Sequence, residues 1–315
     1  MQTAVFVVAD EPYCLWDADI AKRNIEFIEG LDADYFEYNL TVHTNSEDEK
    51  RASVALRVSL HHAIETLFSL IGAYVQAPEC AYAWIGKYSN ADLRKLVSSI
   101  SKSDAKVFTK LNIQPVSWKT IAESIFGTYI PGTDRQVKTI EKFAALWQSL
   151  SNELTDQTVV DEYNSLKHGF RVKSGGFALA VGVESKPGVV PPSSDVHFLG
   201  QSNYGATFFR IENLWPEQRN RSIRSRRTSV NWSIERVALM LQLTHMSINN
   251  VVSALKIINR IAPSKCRFLR PEKDEDFEEP WKHSPGVMNI NFDHVIDETN
   301  ARPVTKKELL KLLTR

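Results

Sequence analysis

Residues 57–65 of this 315-residue chain place Arg57, His61 and Glu65 at i, i+4 and i+8 of a stretch with helical periodicity, so the three form a polar seam beside an apolar stripe. His62 points more than a quarter turn away from that seam. A guanidinium, an imidazole and a carboxylate in reach of one another can hold an anion and move a proton. The same spacing suits a solvated flank in which Glu65 pairs with His61. A second stretch, DEYNSLKHGF at 161–170, sets Asp161, Asn164 and His168 on one helical face, opposite Val159, Tyr163 and Leu166. Asn164, one turn before His168, is placed to orient an imidazole. Lys167, His168 and Gly169 also compose an ordinary helix C-terminus, with cations on the negative end of the dipole and a glycine to turn the chain. A third stretch, EQRNRSIRSRRTSVNW, crowds Arg219, Arg221, Arg224, Arg226 and Arg227 into a polar segment read as a loop that leads into Trp232. Guanidinium groups beside hydroxyls and an aromatic ring suit phosphate contact and base stacking. The competing reading is a solvated loop balanced by the acidic run EKDEDFEE at 272–279.

A local basic patch matters because the chain has no global field: 38 Lys and Arg balance 38 Asp and Glu. Apolar residues at 43% and charged residues at 24% are ordinary for a globular protein. Cys14, Cys80 and Cys266 are scattered, with no Cys-x-x-Cys pair, which points to reduced thiols and a cytoplasmic location. The N-terminal MQTAVFVVAD lacks the cationic start of a signal peptide and reads as a β-strand. The segment VALRVSLHHAIETLFSLIGAYV carries Arg57, His61, His62 and Glu65, so no membrane span is expected. Phosphate-binding glycine loops, HExxH, GxSxG and EF-hand patterns are missing from the sequence. A bundle metal site built from His61, His62, Glu65 and His168 would need Glu-x-x-His pairs, whereas the order here is His62-x-x-Glu65; neither metal nor cofactor is expected.

The elements that must position these residues are mainly helical. Ser46 and Glu49 form a capping-box pattern ahead of a long helix to Gln76, with Leu56, Leu60, Ile64, Leu67, Phe68 and Ile71 as its apolar stripe. Shorter helices are expected at NADLRKLVSSI, VSWKTIAESIF, DRQVKTIEKFAALWQSLSNEL and Asp156–His168. Strand patterns follow at FRVK, FALAVGV, DVHFLG and ATFFRIENL. A second long helix, near Asn231–Ile261, carries the stripe Ile234, Val237, Ala238, Leu241, Ile248, Val252 and Leu255, with His245 inside it and therefore buried and hydrogen-bonded. The fold class expected is mainly α: an up-and-down helical bundle with a small inserted antiparallel β-meander, α+β overall. The division expected is 1–44, an N-terminal strand and helix segment; 45–168, the bundle; 169–215, the meander; 216–262, the Arg-rich loop and long helix; and 263–315, a tail ending in the helix TKKELLKLL.

RVSLHH, Arg57 to His62, resembles the Arg-x4-His pattern of the HEPN superfamily, helical-bundle proteins that include metal-independent ribonucleases of toxin-antitoxin and phage-defence systems. The resemblance implies that Arg57 holds the scissile phosphate and His62 moves a proton from the ribose 2′-hydroxyl, across a homodimer. It departs from the family in having Val58 directly after the arginine. Two functional expectations follow. One is a cytoplasmic helical protein engaging nucleic acid, RNA in particular, with ribonuclease activity drawn from Arg57, His61, His62, Asn164 and His168. The other is a non-catalytic interaction protein whose arginines dock an acidic partner.

Overall fold

The computed structural model describes residues 1–103, 115–127, 129–130, 132–168, 171–213, 223–296 and 305–314, with the backbone alone at 213, 223 and 296. Its elements are β1 (Gln2–Val8), β2 (Glu11–Asp17), α1 (Ile20–Glu29), α2 (Tyr35–Thr44), α3 (Glu49–Gln76), α4 (Ala81–Lys87), α5 (Asn90–Ser101), α6 (Trp118–Phe126), α7 (Asp134–Thr155), α8 (Gln157–Lys167), β3 (Val172–Ser174), β4 (Ala178–Gly182), β5 (Val196–Gln201), β6 (Gly205–Asn213), β7 (Ile223–Asn231), α9 (Ile234–Ile258), β8 (Asn289–Ile296) and α10 (Lys306–Leu313). They divide into two units, Met1–Tyr163 with Ile234–His283, and Asn164–Ser233 with Ser284–Arg315. With 57% helix and 19% strand the protein is mixed α+β, in place of a bundle carrying only a small meander.

The first unit is organised by α3 and α9, which pack against each other as their stripes require. Leu56, Leu60, Leu67, Phe68 and Ile71 of α3 and Val237, Leu241, Ile248, Val252 and Leu255 of α9 are all buried. The cap of α3 differs from expectation. Asp48, two residues beyond Ser46, accepts the Arg51 N–H at 3.0 Å, while the Ser46 hydroxyl accepts from Asp48 itself. The length and apolarity of α3 would let it cross a membrane, and 67% of that stretch is buried inside the protein, the position of a core helix. α5 and α6 open on reciprocal Ser89–Asp92 and Ser117–Thr120 caps, and α7 on Thr133.

The end of α3 fixes the β1–β2 hairpin. Gln76 accepts from the Ala9 N–H and donates to the Ala9 carbonyl, both at 2.9 Å, and also accepts from the Trp84 indole at 3.1 Å. Trp84 lies so close over α3 that a Cβ at Gly72 would stand 2.4 Å from its ring; only glycine fits there.

In the second unit β3, β6, β7 and β8 form an antiparallel sheet in that order, and β4 and β5 form a separate hairpin between β3 and β6. This sheet corrects two readings. The segment expected to be an Arg-rich loop is in its described part the strand β7, paired with β6 on one side and β8 on the other. The tail beyond 263 supplies β8, so the strand region extends past 215. Register places Phe209, Arg227 and Phe292 side by side, Ile211, Ser225 and His294 in the next row, and Arg210, Arg226 and Asp293 between them on the opposite face.

Candidate functional site

The seam of α3 is buried, not solvated. Arg57 and His61 turn into the protein because α8 brings Glu162 over them. Arg57 donates to Glu162 through Nε at 2.8 Å and through a terminal nitrogen at 2.9 Å. Glu153 of α7 stands 3.9 Å from Arg57 and 3.1 Å from Arg236 of α9, so one run of charges ties α3, α7, α8 and α9. His61 stacks on Tyr163 with ring centroids 5.1 Å apart, and its Nε2 lies 3.6 Å from Glu162, too long for a strong hydrogen bond. Glu65 bonds the Tyr163 hydroxyl, in place of the expected pairing with His61.

Electrostatics follow from this burial. Desolvation alone would raise the Glu162 carboxyl, but the charge and hydrogen bonds of Arg57 hold it well below the usual carboxylate range. Burial, reinforced by the Arg57 charge, pushes the His61 imidazole down, so it is neutral at neutral pH. Burial and Glu65 push the Tyr163 hydroxyl up. Perturbed groups of this kind mark either an active site or a structural ion pair. Here the cation and the anion satisfy each other bidentately, which is the arrangement of a cross-brace.

Arg57 and His62 face different neighbours. Arg57 is held by α7 and α8, while His62 is exposed and set edge-on to Phe36 of α2, with centroids 5.4 Å apart. The i and i+5 positions diverge by about 140° on a helix, and the packing keeps them so. Asn164 and His168 are both exposed in the last turn of α8, where the His168 N–H donates to the Asn164 carbonyl at 3.1 Å and Asp161 accepts from Gln157 at 2.8 Å. Gly169 lies outside the described residues. His245 is buried as expected, at 3% exposure.

Arg219 and Arg221 lie outside the described residues. Arg224 and Arg226 lie on one face of the sheet with Arg210. Arg224 pairs with Glu212, Arg226 with Asp293 at 2.7 Å, and Arg210 with Glu212 at 3.1 Å. The acidic run at 272–279 is engaged within its own unit, where Asp274 meets Arg270 and Lys138, and Glu278 meets Lys142. Trp232 is buried, at 4% exposure, and cannot offer its ring to a base.

Arg227 alone among the described arginines of this segment points to the other face. Phe209 and Phe292 flank it on the neighbouring strands at 69% and 56% exposure, with the guanidinium 6.0 Å from the Phe292 ring. Lys173, Ile211 and His294 occupy nearby positions of the same face and are exposed. Among the described side chains at paired positions of that face there is no carboxylate. Phe209 and Phe292 could have been found in the sequence, since TFFRI and NINFDHVI both alternate, but pairing them around Arg227 required the register. No family model matches the chain, and neither a curated protein nor a solved structure matches it.

Proposed function

We propose that the protein is a cytoplasmic single-strand nucleic-acid-binding protein, RNA being the favoured ligand, which binds on the exposed face of the β3-β6-β7-β8 sheet. The observation that carries this reading is the row Phe209, Arg227, Phe292. Two exposed rings two strand spacings apart, roughly 10 Å, give unpaired bases flat surfaces to stack on, and the guanidinium between them meets the backbone phosphate or a third base. Recognition of single strands by stacking on a sheet is sequence-tolerant, because every base has a π-face. A chain with zero net charge needs a local cationic surface of this kind to hold a polyanion. Three free thiols accord with a reducing compartment.

The catalytic part of the sequence expectation does not enter the proposal, since Arg57 is committed to Glu162 and His62 lies against α2. Binding of fluorescently labelled single-stranded RNA, with DNA and duplex controls, tests it. Phe209→Ala and Phe292→Ala should each weaken binding by about 1–3 kcal/mol, the range for one stacked base, in a fold that exposed substitutions leave intact. Absence of binding by the wild type, together with capture of an acidic peptide on the same face, would favour the interaction-protein reading.

A further inference from the structure

The first turn of α2 and the middle of α9 meet at a group of side chains with no part in the sheet surface. Asp34 and Glu37 stand three residues apart at the start of α2, and His245 comes from α9, which packs against it. One oxygen of each carboxylate and one ring nitrogen of His245 all lie within 4.8 Å of one another, and His245 Nε2 is 3.5 Å from Glu37 Oε2. We infer that Asp34, Glu37 and His245 bind one divalent transition-metal ion of the Zn²⁺ or Mn²⁺ class through one nitrogen and two oxygens.

The geometry has one fixed and two adjustable donors. His245 is a core side chain, whereas the carboxylates of Asp34 and Glu37 are 54% and 59% exposed and reachable by an ion from the solvent side, Asp34 at the cost of its pairing with Arg267. Metal–ligand distances near 2.0–2.2 Å bring donors to within roughly 3–4 Å of each other, so a shift of about 1 Å by two surface carboxylates suffices. Three protein donors leave a coordination position open to water or a further ligand.

The surroundings hold the imidazole as an outer shell does. Asn249 Nδ2 donates to the Ala33 carbonyl at 3.0 Å and lies 3.4 Å from one ring nitrogen of His245 and 3.5 Å from the other. Burial pushes this imidazole down in spite of Glu37 and Asp34. Although Asp34 occupies the N-cap position of α2, its side chain makes no capping bond and is turned instead to Arg267 and Asn249. Two carboxylates and one guanidinium leave a net negative charge beside a neutral imidazole. The donor set has no thiolate, which disfavours soft ions, and its nitrogen disfavours Ca²⁺ and Mg²⁺, which prefer oxygen throughout.

Arg267 competes for Asp34, and that competition gives the test its signature. Full-length protein stripped with chelator is titrated with Co²⁺, followed by d–d absorption, and with Zn²⁺, followed by calorimetry. One equivalent should bind with micromolar or tighter affinity. Glu37→Gln and Asp34→Asn should each weaken binding tenfold or more, His245→Gln should abolish it, and Arg267→Gln should tighten it by removing the competing cation. Because His245 is in the core, Glu37→Gln, a change at an exposed group, carries the test if His245→Gln does not fold. Lack of saturable binding, or one-equivalent binding indifferent to Glu37→Gln and Asp34→Asn, overturns the inference.

Discussion

Arg57 and Glu162, 105 residues apart in the chain, share two hydrogen bonds of 2.8 and 2.9 Å in a place where both are buried. Such a pair gains from Coulomb attraction little more than it loses in desolvation, so its presence adds modestly to stability. Removing one partner is different, because the remaining charge is stranded. Glu162→Gln should therefore destabilise the protein by about 3–5 kcal/mol, with Glu153, 3.9 Å from Arg57 and shared with Arg236, offsetting only part of the loss. Replacing both by Met should recover most of that loss. Denaturant unfolding of the two single variants and the double variant measures the coupling.

The same seam sets a pH dependence. The Glu162 carboxyl is depressed in the folded state, so the stability it contributes is present above its unfolded value, near 4.5, and is lost as pH falls toward the folded value. His61 is also depressed, so below about pH 6.5 the unfolded chain takes a proton that the folded protein refuses. Both effects have one sign: the unfolded state binds more protons, and stability falls on acidification from about pH 6.5 downward. His61→Gln should make the profile shallower between about pH 5 and 6.5, where His245, also pushed down by burial, acts with the same sign, and should leave the steeper acidic limb. Urea midpoints across pH 3–8 decide it.

Ala9 has φ of 57° in the two-residue loop between β1 and β2, where the first loop position favours glycine. Its backbone is held there by Gln76 through both N–H and carbonyl. A left-handed alanine costs about 1–2 kcal/mol, and glycine returns part of the gain to the unfolded chain. Ala9→Gly should stabilise by up to about 1 kcal/mol, while Gln76→Leu, which orphans both Ala9 groups, should destabilise. Thermal melts of the two variants should move in opposite directions.

Periodicity revealed what long, one-sided patterns can reveal. α3 and α9 were legible because their stripes run for many turns, and α5 to α8 because their caps or apolar spacing are clear. α1, α2 and α4 are short; in α2 Phe36 alone is buried, so no stripe marks it. β7 was missed because IRSRRTSVN reads as a polar loop. Its arginines are satisfied by Glu212 and Asp293 from the flanking strands, which local pattern cannot disclose. The brace had a signal that passed unread: Arg57 stands beside Leu56 and Leu60 in one stripe, and Glu162 between Val159 and Leu166 in another. Opposite charges inside two apolar stripes have each other as the obvious partner.

His168 closes α8 at an exposed position, with its N–H bonded to Asn164 and its side chain outward. His168→Lys puts a cation near the helix terminus and Asn164→Ala slightly favours the helix. Neither should change stability by more than about 0.5 kcal/mol. If RNA binds on the sheet alone, neither should change binding. Loss of RNA degradation in His168→Lys, with degradation shown by the wild type, would restore a catalytic part for this segment.

Arg224, Arg226 and Arg227 lie within four residues of sequence but have different work in the sheet. Arg224 and Arg226 lie among Glu212 and Asp293, so glutamates there would face carboxylates at close range and weaken strand pairing. Arg227 stands on the other face between Phe209 and Phe292, where a reversed charge meets no carboxylate of its own chain among the described paired positions. Changing Arg224, Arg226 and Arg227 together to Glu should thus lower the melting temperature as well as abolish binding, and cannot separate the two. Arg227→Glu alone should abolish single-strand binding while the fold persists; Arg224→Gln and Arg226→Gln should retain it. The salt slope of the wild type should be shallow, because a face with few cations neutralises few phosphates at about −0.7 per contact for single strands. Electrophoretic or anisotropy titrations at several salt concentrations read all of these, and binding that survives Arg227→Glu but fails in Arg226→Gln would move the interface to the opposite face of the sheet.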